Sequence, residues 1–269
     1  MKKVIILFTF FLFYILNASG QGEIDKQQRI FYRNESTFNI ALNSNGYGGG
    51  YRYGKRLNFL NKRLYEIDFN YFRHPKEIKL SNPYFPNSRS FVFGKTNLFF
   101  NLRGGYGFQR DIYKKMDRGG VAVRYLYSFG PVLGFYKPVY YLVLDPISMD
   151  TYILKEAKFD PAQLHSPNDI YGRASFFKGW NEIHFVPGLF AKFGFNFEFS
   201  KLEPVVQALE GGIVIDVYPK IIPIMATEDN KNIFISLYAS YRFGKIIDRY
   251  YKKAYEKNQK TGPSFQYIP

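Results

Sequence analysis

Apolar and polar residues alternate in eight separate segments of the chain. A period of two places successive side chains on opposite faces, so each segment predicts a β-strand with one apolar face. The eight segments lie near residues 38–43, 47–53, 65–71, 93–108, 121–128, 189–198, 209–217 and 233–243. Gly-rich and Asn-rich stretches interrupt or join them, as expected of turns and of crowded strand positions.

The composition of the polar faces indicates which way the strands point. A soluble barrel should expose Lys, Glu and Thr, but these faces carry Gly, Ser, Asn, Tyr and charges of both signs. The interior of an eight-stranded barrel is just wide enough to be filled by side chains, and a buried charge there needs a partner. We therefore expect the apolar faces to meet lipid and the charges to pair in the lumen. The predicted lumen residues are Glu66, Asp68, Glu198, Glu210, Asp216, Arg52, Arg103, Arg124, Lys192 and Arg242. A soluble sandwich or lipocalin-like barrel is the alternative.

The first twenty residues read as a secretory signal peptide. Lys2 and Lys3 precede an uncharged run of 13 residues, 4–16, which is too short to span a bilayer as a helix. Small residues follow at 18–20, as at a cleavage site. An N-terminal anchor helix is the alternative. No later run is long and apolar enough for a membrane helix, so a membrane location would require a β-barrel.

The connections predict the orientation of the barrel. An even number of strands puts both termini in the periplasm, with short turns there and longer loops outside. The expected turns are 54–63, 112–118 and 199–204, and the expected loops are 43–46, 73–91, 143–183 and 218–231. The sequence thus predicts an all-β protein: an eight-stranded antiparallel up-and-down transmembrane β-barrel with a filled polar lumen and a C-terminal periplasmic extension. Its parts are a signal peptide (1–20), the barrel (21–243) and a basic tail (244–269).

The tail carries a second pattern, with a helical period. Ile247, Tyr250, Tyr251, Ala254 and Tyr255 recur at the spacing of one helical face, which predicts an amphipathic helix over 244–257. The other face is basic. The candidate contacts with a partner or membrane are Ile247, Arg249, Tyr250, Tyr251, Lys252, Lys253, Tyr255 and, in the longest loop, Trp180. A solvated extension without structure is the alternative.

Composition narrows the function classes. Among 269 residues there are 24 Tyr, 29 Phe and no Cys, which excludes a disordered chain, a disulfide scaffold and a thiolate metal site. The net charge of +15 falls to +13 without the signal peptide, because two lysines and no acidic residue are lost. In an exported chain this charge suits anionic lipid headgroups, and we expect no nucleic-acid partner.

Catalytic chemistry has little support in the sequence. The longest irregular segment, 145–182, holds His165 and several aspartates that could serve as base and orienter. No nucleophile elbow, zinc-binding helix motif or Walker-type loop occurs. We expect a non-enzymatic protein with no catalytic, cofactor-binding or metal-binding residues and with no cofactor.

Three features together resemble a known family. They are the signal end Ala18-Ser19-Gly20-Gln21, the Gly-rich and aromatic strands, and the closing Tyr241-Arg242-Phe243-Gly244. In these the chain resembles the small outer-membrane β-barrels of Bacteroidota, of the OmpX-like and PorT-like kind. The resemblance implies a non-catalytic accessory or structural subunit of an outer-membrane complex for protein export or barrel assembly. Its partners would be outer-membrane lipid and other outer-membrane or periplasmic proteins.

A second class of function is also open. The chain could be a stand-alone surface barrel for adhesion or ligand binding through loops 73–91 and 143–183, and a lipid-modifying enzyme is a third, less favoured alternative. A subunit should dock through its tail or one barrel wall, whereas a stand-alone binder should concentrate its contacts in the two loops.

Overall fold

A computed structural model of the chain describes residues 34–115, 119–148, 151–161, 166–201 and 205–247. These residues contain thirteen strands and two short 3-10 helices, at Pro167–Asp169 and Trp180–Glu182. The strands are β1 (Asn34–Asn43), β2 (Gly46–Arg56), β3 (Asn61–Phe72), β4 (Lys79–Leu80), β5 (Phe91–Val92), β6 (Asn97–Tyr113), β7 (Ala122–Pro138), β8 (Tyr140–Ser148), β9 (Thr151–Lys158), β10 (Ile170–Arg173), β11 (His184–Glu198), β12 (Val205–Val217) and β13 (Ile233–Ile247). No helix in these ranges is long and apolar enough to cross a membrane. The predicted signal peptide, 1–20, and His165 lie outside the described residues.

Eight long strands form a closed barrel, in the order β1-β13-β12-β11-β7-β6-β3-β2. Every pair is antiparallel, and the first and last strands close the barrel, with Asn34 opposite Ile247 and Asn43 opposite Tyr238. The predicted all-β, eight-stranded antiparallel up-and-down barrel is confirmed. Each of the eight predicted segments overlaps one of these strands, although 93–96 and Val121, predicted as strand, precede β6 and β7.

The two ends of the barrel differ. One end, the turn end, carries the connections 57–60, 114–121 and 199–204 together with the first and last described residues. The other, the loop end, carries the two-residue turn 44–45 and the long connections 73–96, 139–183 and 218–232. The lengths of these connections agree with the predicted turns and loops.

Two boundaries differ from the sequence prediction. Residues 145–182, expected to be irregular, contain the end of β8 together with β9 and β10, and these three strands form a sheet in the order β10-β8-β9. The helix predicted from residue 244 is wrong over residues 244–247, because these residues continue β13 and pair with Asn34–Thr37 of β1. Backbone pairing across the closing seam outweighs the helical pattern there. The rest of the predicted helix, 248–257, lies outside the described residues.

The long connections fold into a small cap at the loop end. Its apolar core is formed by Phe91, Val139, Tyr141 and Ile170, all buried. The hydroxyl of Tyr141 lies 2.7 Å from the carbonyl oxygens of both Val92 and Lys95, so it ties the β8 hairpin to the first long loop. Burial raises the pKa of Tyr141.

Glycines make room for the contents of the barrel. A Cβ atom at Gly50 would collide with the carboxylate of Asp68 on the neighbouring strand, and one at Gly194 would collide with the hydroxyl of Tyr238. The absence of a side chain at these positions lets large polar side chains cross the lumen.

Candidate functional site

The outer face of the barrel is apolar. Along β13, Ile235 and Leu237 are 68% and 64% exposed, whereas the intervening Ser236 and the later Arg242 are almost fully buried. The same alternation holds on the other barrel strands, where the exposed residues include Ile40, Leu42, Ile67, Leu189 and Leu209. The barrel therefore exposes an apolar belt and encloses its polar side chains, the reverse of a soluble barrel.

A row of aromatic residues marks the belt near the loop end. Tyr47, Tyr71, Phe100, Phe135 and Phe185 are register partners across five consecutive strands. Their rings lie 5.2–6.2 Å apart from one strand to the next. We call these five residues the loop-end girdle. Aromatic girdles of this kind occur where a transmembrane barrel meets the bilayer interface.

The middle of the lumen holds a charge network around Glu210. The carboxylate of Glu210 accepts hydrogen bonds from Arg52 Nη1 and Nη2 at 2.6 and 2.9 Å. Lys192 Nζ and Arg242 Nε lie 3.3 Å from its oxygens. Two further carboxylates complete the network: Glu66 pairs with Arg52 and Lys192, and Asp68 pairs with Lys192. Three cations thus face three carboxylates, and the network is neutral.

A second network fills the lumen at the turn end. Arg124 lies between Asp111, at 2.9 Å, and Glu198, and Glu35 pairs with Lys62. Sequence reasoning assigned Arg124 and Glu198 to the lumen but missed the other three. Asp111 was missed because the predicted strand stopped at residue 108, whereas β6 continues to Tyr113 and keeps its alternation as far as Ile112.

The contents of the lumen change from charged to apolar towards the loop end. Arg103 forms a bidentate pair with Asp216, at 2.7 and 2.6 Å, above the central network. Beyond this pair lies an apolar plug, in which Ile222 and Ile224 from the connection 218–232 are fully buried against the barrel. The backbone of Thr96 donates to the Ile224 carbonyl at 3.0 Å and holds the plug in place. Towards the loop end, an ion pair inside the barrel is thus followed by an apolar layer.

All ten charged residues assigned to the lumen from sequence lie inside the barrel, each no more than 8% exposed. The predicted contact residues are divided. Trp180 lies in the cap and is 49% exposed, and Ile247 ends β13 and is 40% exposed. The other predicted contacts lie outside the described residues: Arg249, Tyr250, Tyr251, Lys252, Lys253 and Tyr255.

A basic pocket lies between the loop-end girdle and the cap. This cavity of about 390 Å³ is lined by Tyr47, Tyr71, Arg73, Glu77, Lys79, Val92, Lys95, Leu98, Phe100, Arg173 and Phe176. Four of these side chains are basic and one is acidic. Lys95 is buried, donates to the Tyr71 hydroxyl at 2.8 Å and pairs with Glu77 at 2.7 Å. Arg73 lies over the rings of Tyr47 and Tyr71, at 5.7 and 6.0 Å.

An aromatic cluster borders this pocket. Phe176, Phe177 and Trp180 contact one another at 5.7–6.4 Å, and all three are exposed. Lys137 holds this segment to β7, because its ammonium donates to the Phe176 carbonyl and lies 4.8 Å from the Phe176 ring. The cluster therefore sits beside the outer face of β7, two residues past Phe135 of the girdle.

A polar contact at Glu182 fixes the end of the segment that carries the aromatic cluster. Tyr140 donates to the Glu182 carboxylate at 2.6 Å, and Lys158 pairs with the same carboxylate. The hydrogen bond from Lys158 lowers the pKa of Glu182.

The two histidines in the described part of the chain make structural contacts. His74 Nδ1 accepts a hydrogen bond from the Lys76 backbone N–H at 3.2 Å, and the ring of His184 packs on Tyr136. Within the described ranges, no group of His, Asp and Glu is arranged to hold a metal ion.

Comparison with known proteins gives few matches. No family model and no curated protein matches the chain. Among solved structures, the chain is similar to Neisserial surface protein A, with 12% identity, a TM-score of 0.35 and coverage of 78% of this chain and 95% of that chain. This likeness is too distant to transfer a function or a location.

Proposed function

We propose that the chain is a bacterial outer-membrane barrel with both termini in the periplasm. The exposed apolar belt around the whole barrel supports this proposal, because water would oppose so large an apolar surface. Short connections on the side of the termini and long ones opposite are the usual arrangement in outer-membrane barrels. The resemblance to the OmpX-like and PorT-like barrels of Bacteroidota agrees with the same location.

We further propose that the barrel neither conducts solutes nor catalyses a reaction. This proposal is supported by the lumen charges, which pair with one another and lie beneath the apolar plug. The barrel would serve as an anchor, and its function would lie in the cap and the outer wall.

The cap supports a role as a subunit of a larger assembly. β9 is an edge of the β10-β8-β9 sheet and pairs, among the described residues, with β8 alone. Three consecutive large side chains on it are exposed: Tyr152, Ile153 and Leu154, at 52%, 55% and 46%. An exposed apolar edge strand is a template for pairing with a strand of another chain. We propose that β9 binds a partner protein of an outer-membrane complex in this way.

The second candidate is a stand-alone surface barrel for adhesion or ligand binding. Its support is that loops 73–91 and 143–183 fold together into the cap and do not extend separately. Both candidates use the cap, but only the subunit role requires a partner held in fixed proportion in the membrane.

A purification from native membranes tests the subunit role. We expect the tagged chain to recover a partner in constant proportion, and Ile153→Lys to lower that recovery at least tenfold, because an interface core tolerates no unpaired charge. Ile78→Lys is the matched control, because Ile78 is 69% exposed in the cap but lies outside β9. Recovery of no partner in constant proportion would favour the stand-alone barrel. An equal loss in both variants would exclude β9 as the docking strand.

A further inference from the structure

The basic pocket carries more positive charge than its own carboxylate balances. Of its four cations, only Lys95 forms an ion pair, with Glu77. Arg73, Lys79 and Arg173 form no ion pair with any described residue, and all three side chains are exposed at the pocket. Three uncompensated cations around one cavity create a local positive potential that attracts an anion.

The surroundings of the pocket determine which anion fits. Its lower wall is part of the loop-end girdle, because Tyr47, Tyr71 and Phe100 line both. Below them the outer face is apolar, and beside them the exposed cluster Phe176, Phe177 and Trp180 faces outward. An anion bound here would have cations on the cap side and apolar wall on the other. This is the polarity of an amphiphile with an anionic headgroup and acyl chains.

We propose that the basic pocket binds the phosphate headgroup of an anionic lipid in the leaflet at the loop end. The inference rests on the membrane location proposed above. Arg73, Arg173 and Lys79 would contact the phosphate oxygens, with Arg suited to paired hydrogen bonds. The acyl chains would lie along Tyr71 and Phe100, and the aromatic cluster would sit in the interface beside them, where Trp is favoured.

The only Trp of the chain provides the assay. Trp180 lies 6.1 Å, ring to ring, from Phe176, which lines the pocket. A lipid brominated on its acyl chain near the glycerol should therefore quench Trp180 when it occupies the pocket. The protein is reconstituted in phosphatidylcholine nanodiscs containing a small fraction of either brominated phosphatidylglycerol or brominated phosphatidylcholine. The proposal predicts stronger quenching by the anionic lipid at equal mole fraction.

Paired variants assign that preference to the pocket. Arg73→Gln with Arg173→Gln should lower the preference for phosphatidylglycerol on the order of tenfold, given the usual attraction of each cation to an anionic surface. Lys155→Gln with Lys231→Gln is the matched control: it removes the same charge from exposed cap positions outside the pocket and should leave the preference unchanged. Arg73→Lys with Arg173→Lys should retain most of it.

The outcomes separate the possible failures. Equal quenching by the two brominated lipids, or an equal loss of preference in the control pair, would overturn the anionic-lipid site while leaving the membrane location intact. Quenching by neither lipid would count against the location of the cluster at the bilayer interface, and so against the proposed membrane orientation. If inorganic phosphate in solution displaces the brominated phosphatidylglycerol, the pocket is a site for free phosphate and the lipid proposal is wrong.

Discussion

A single substitution at Glu210 is the most severe test of how much the charge network in the lumen stabilises the barrel. Its carboxylate accepts two hydrogen bonds from Arg52 and lies 3.3 Å from both Lys192 and Arg242. Glu210→Gln preserves the size of the side chain but leaves three cations facing two carboxylates. Loss of one partner of a buried ion pair costs about 3–5 kcal/mol, because the remaining charge is uncompensated. Two charge-assisted hydrogen bonds to Arg52 give a similar figure, at about 1.5–3 kcal/mol each.

The measurement is the free energy of unfolding of the barrel in phospholipid vesicles. Urea unfolding is followed by the gel shift between the compact folded form and the heat-denatured form. We expect Glu210→Gln to lower the free energy of unfolding by about 3 kcal/mol or more. Glu182→Gln is the control, because it breaks the exposed pair with Lys158 in the cap, and such a pair contributes about 0–1 kcal/mol.

A compensating variant makes the test specific for charge balance. Arg52→Gln added to Glu210→Gln leaves two cations, Lys192 and Arg242, facing two carboxylates, Glu66 and Asp68. The double variant should therefore be more stable than Glu210→Gln alone, although it has lost more hydrogen bonds. The reasoning is refuted if Glu210→Gln is no less stable than the Glu182→Gln control, or if the second substitution only adds to the loss.

Two further predictions concern the closed lumen and the end of β13. Planar-bilayer recordings of the wild-type protein should show no stable open pore, because the Arg103–Asp216 pair and the apolar plug close the lumen; a large, lasting conductance would contradict this. Truncation after Ile247 should leave the barrel intact, and it should weaken partner recovery if the tail docks. Truncation after Gly244 should in addition lower the free energy of unfolding by about 2 kcal/mol, because it removes backbone hydrogen bonds between β13 and β1. Unchanged partner recovery after removal of 248–269 would exclude docking by the tail.

The barrel could be predicted because its strands carry their own pattern. In β13 each inward Ser or Arg lies between two outward apolar residues, so the local sequence predicts both the strand and the direction in which each side chain points. The charged lumen positions follow from the same alternation, because a charge between two lipid-facing residues must point inward. Only the ends of strands were misjudged, as at Asp111 and at residues 244–247.

The cap could not be predicted in the same way. β8 begins with five nearly uninterrupted apolar residues, and residues 221–225 form another such run, so neither shows a period of two. Ile222 and Ile224 are buried only because Phe72 and Phe99, far away in the sequence, line the mouth of the barrel. Contacts of this kind depend on the closed barrel, which no local pattern describes.

The three-stranded sheet of the cap connects the two proposed interactions. Arg173 ends β10, one edge of this sheet, and lines the basic pocket, while β9 forms the opposite edge. β8 lies between them and is anchored through Tyr141 to the backbone of Val92 and Lys95. A lipid held by Arg173 would therefore fix the sheet against the membrane at one edge and leave β9 as the edge available to a partner strand. If both proposals hold, removing the pocket charges should weaken partner recovery as well as lipid binding, whereas a substitution in β9 should affect the partner alone.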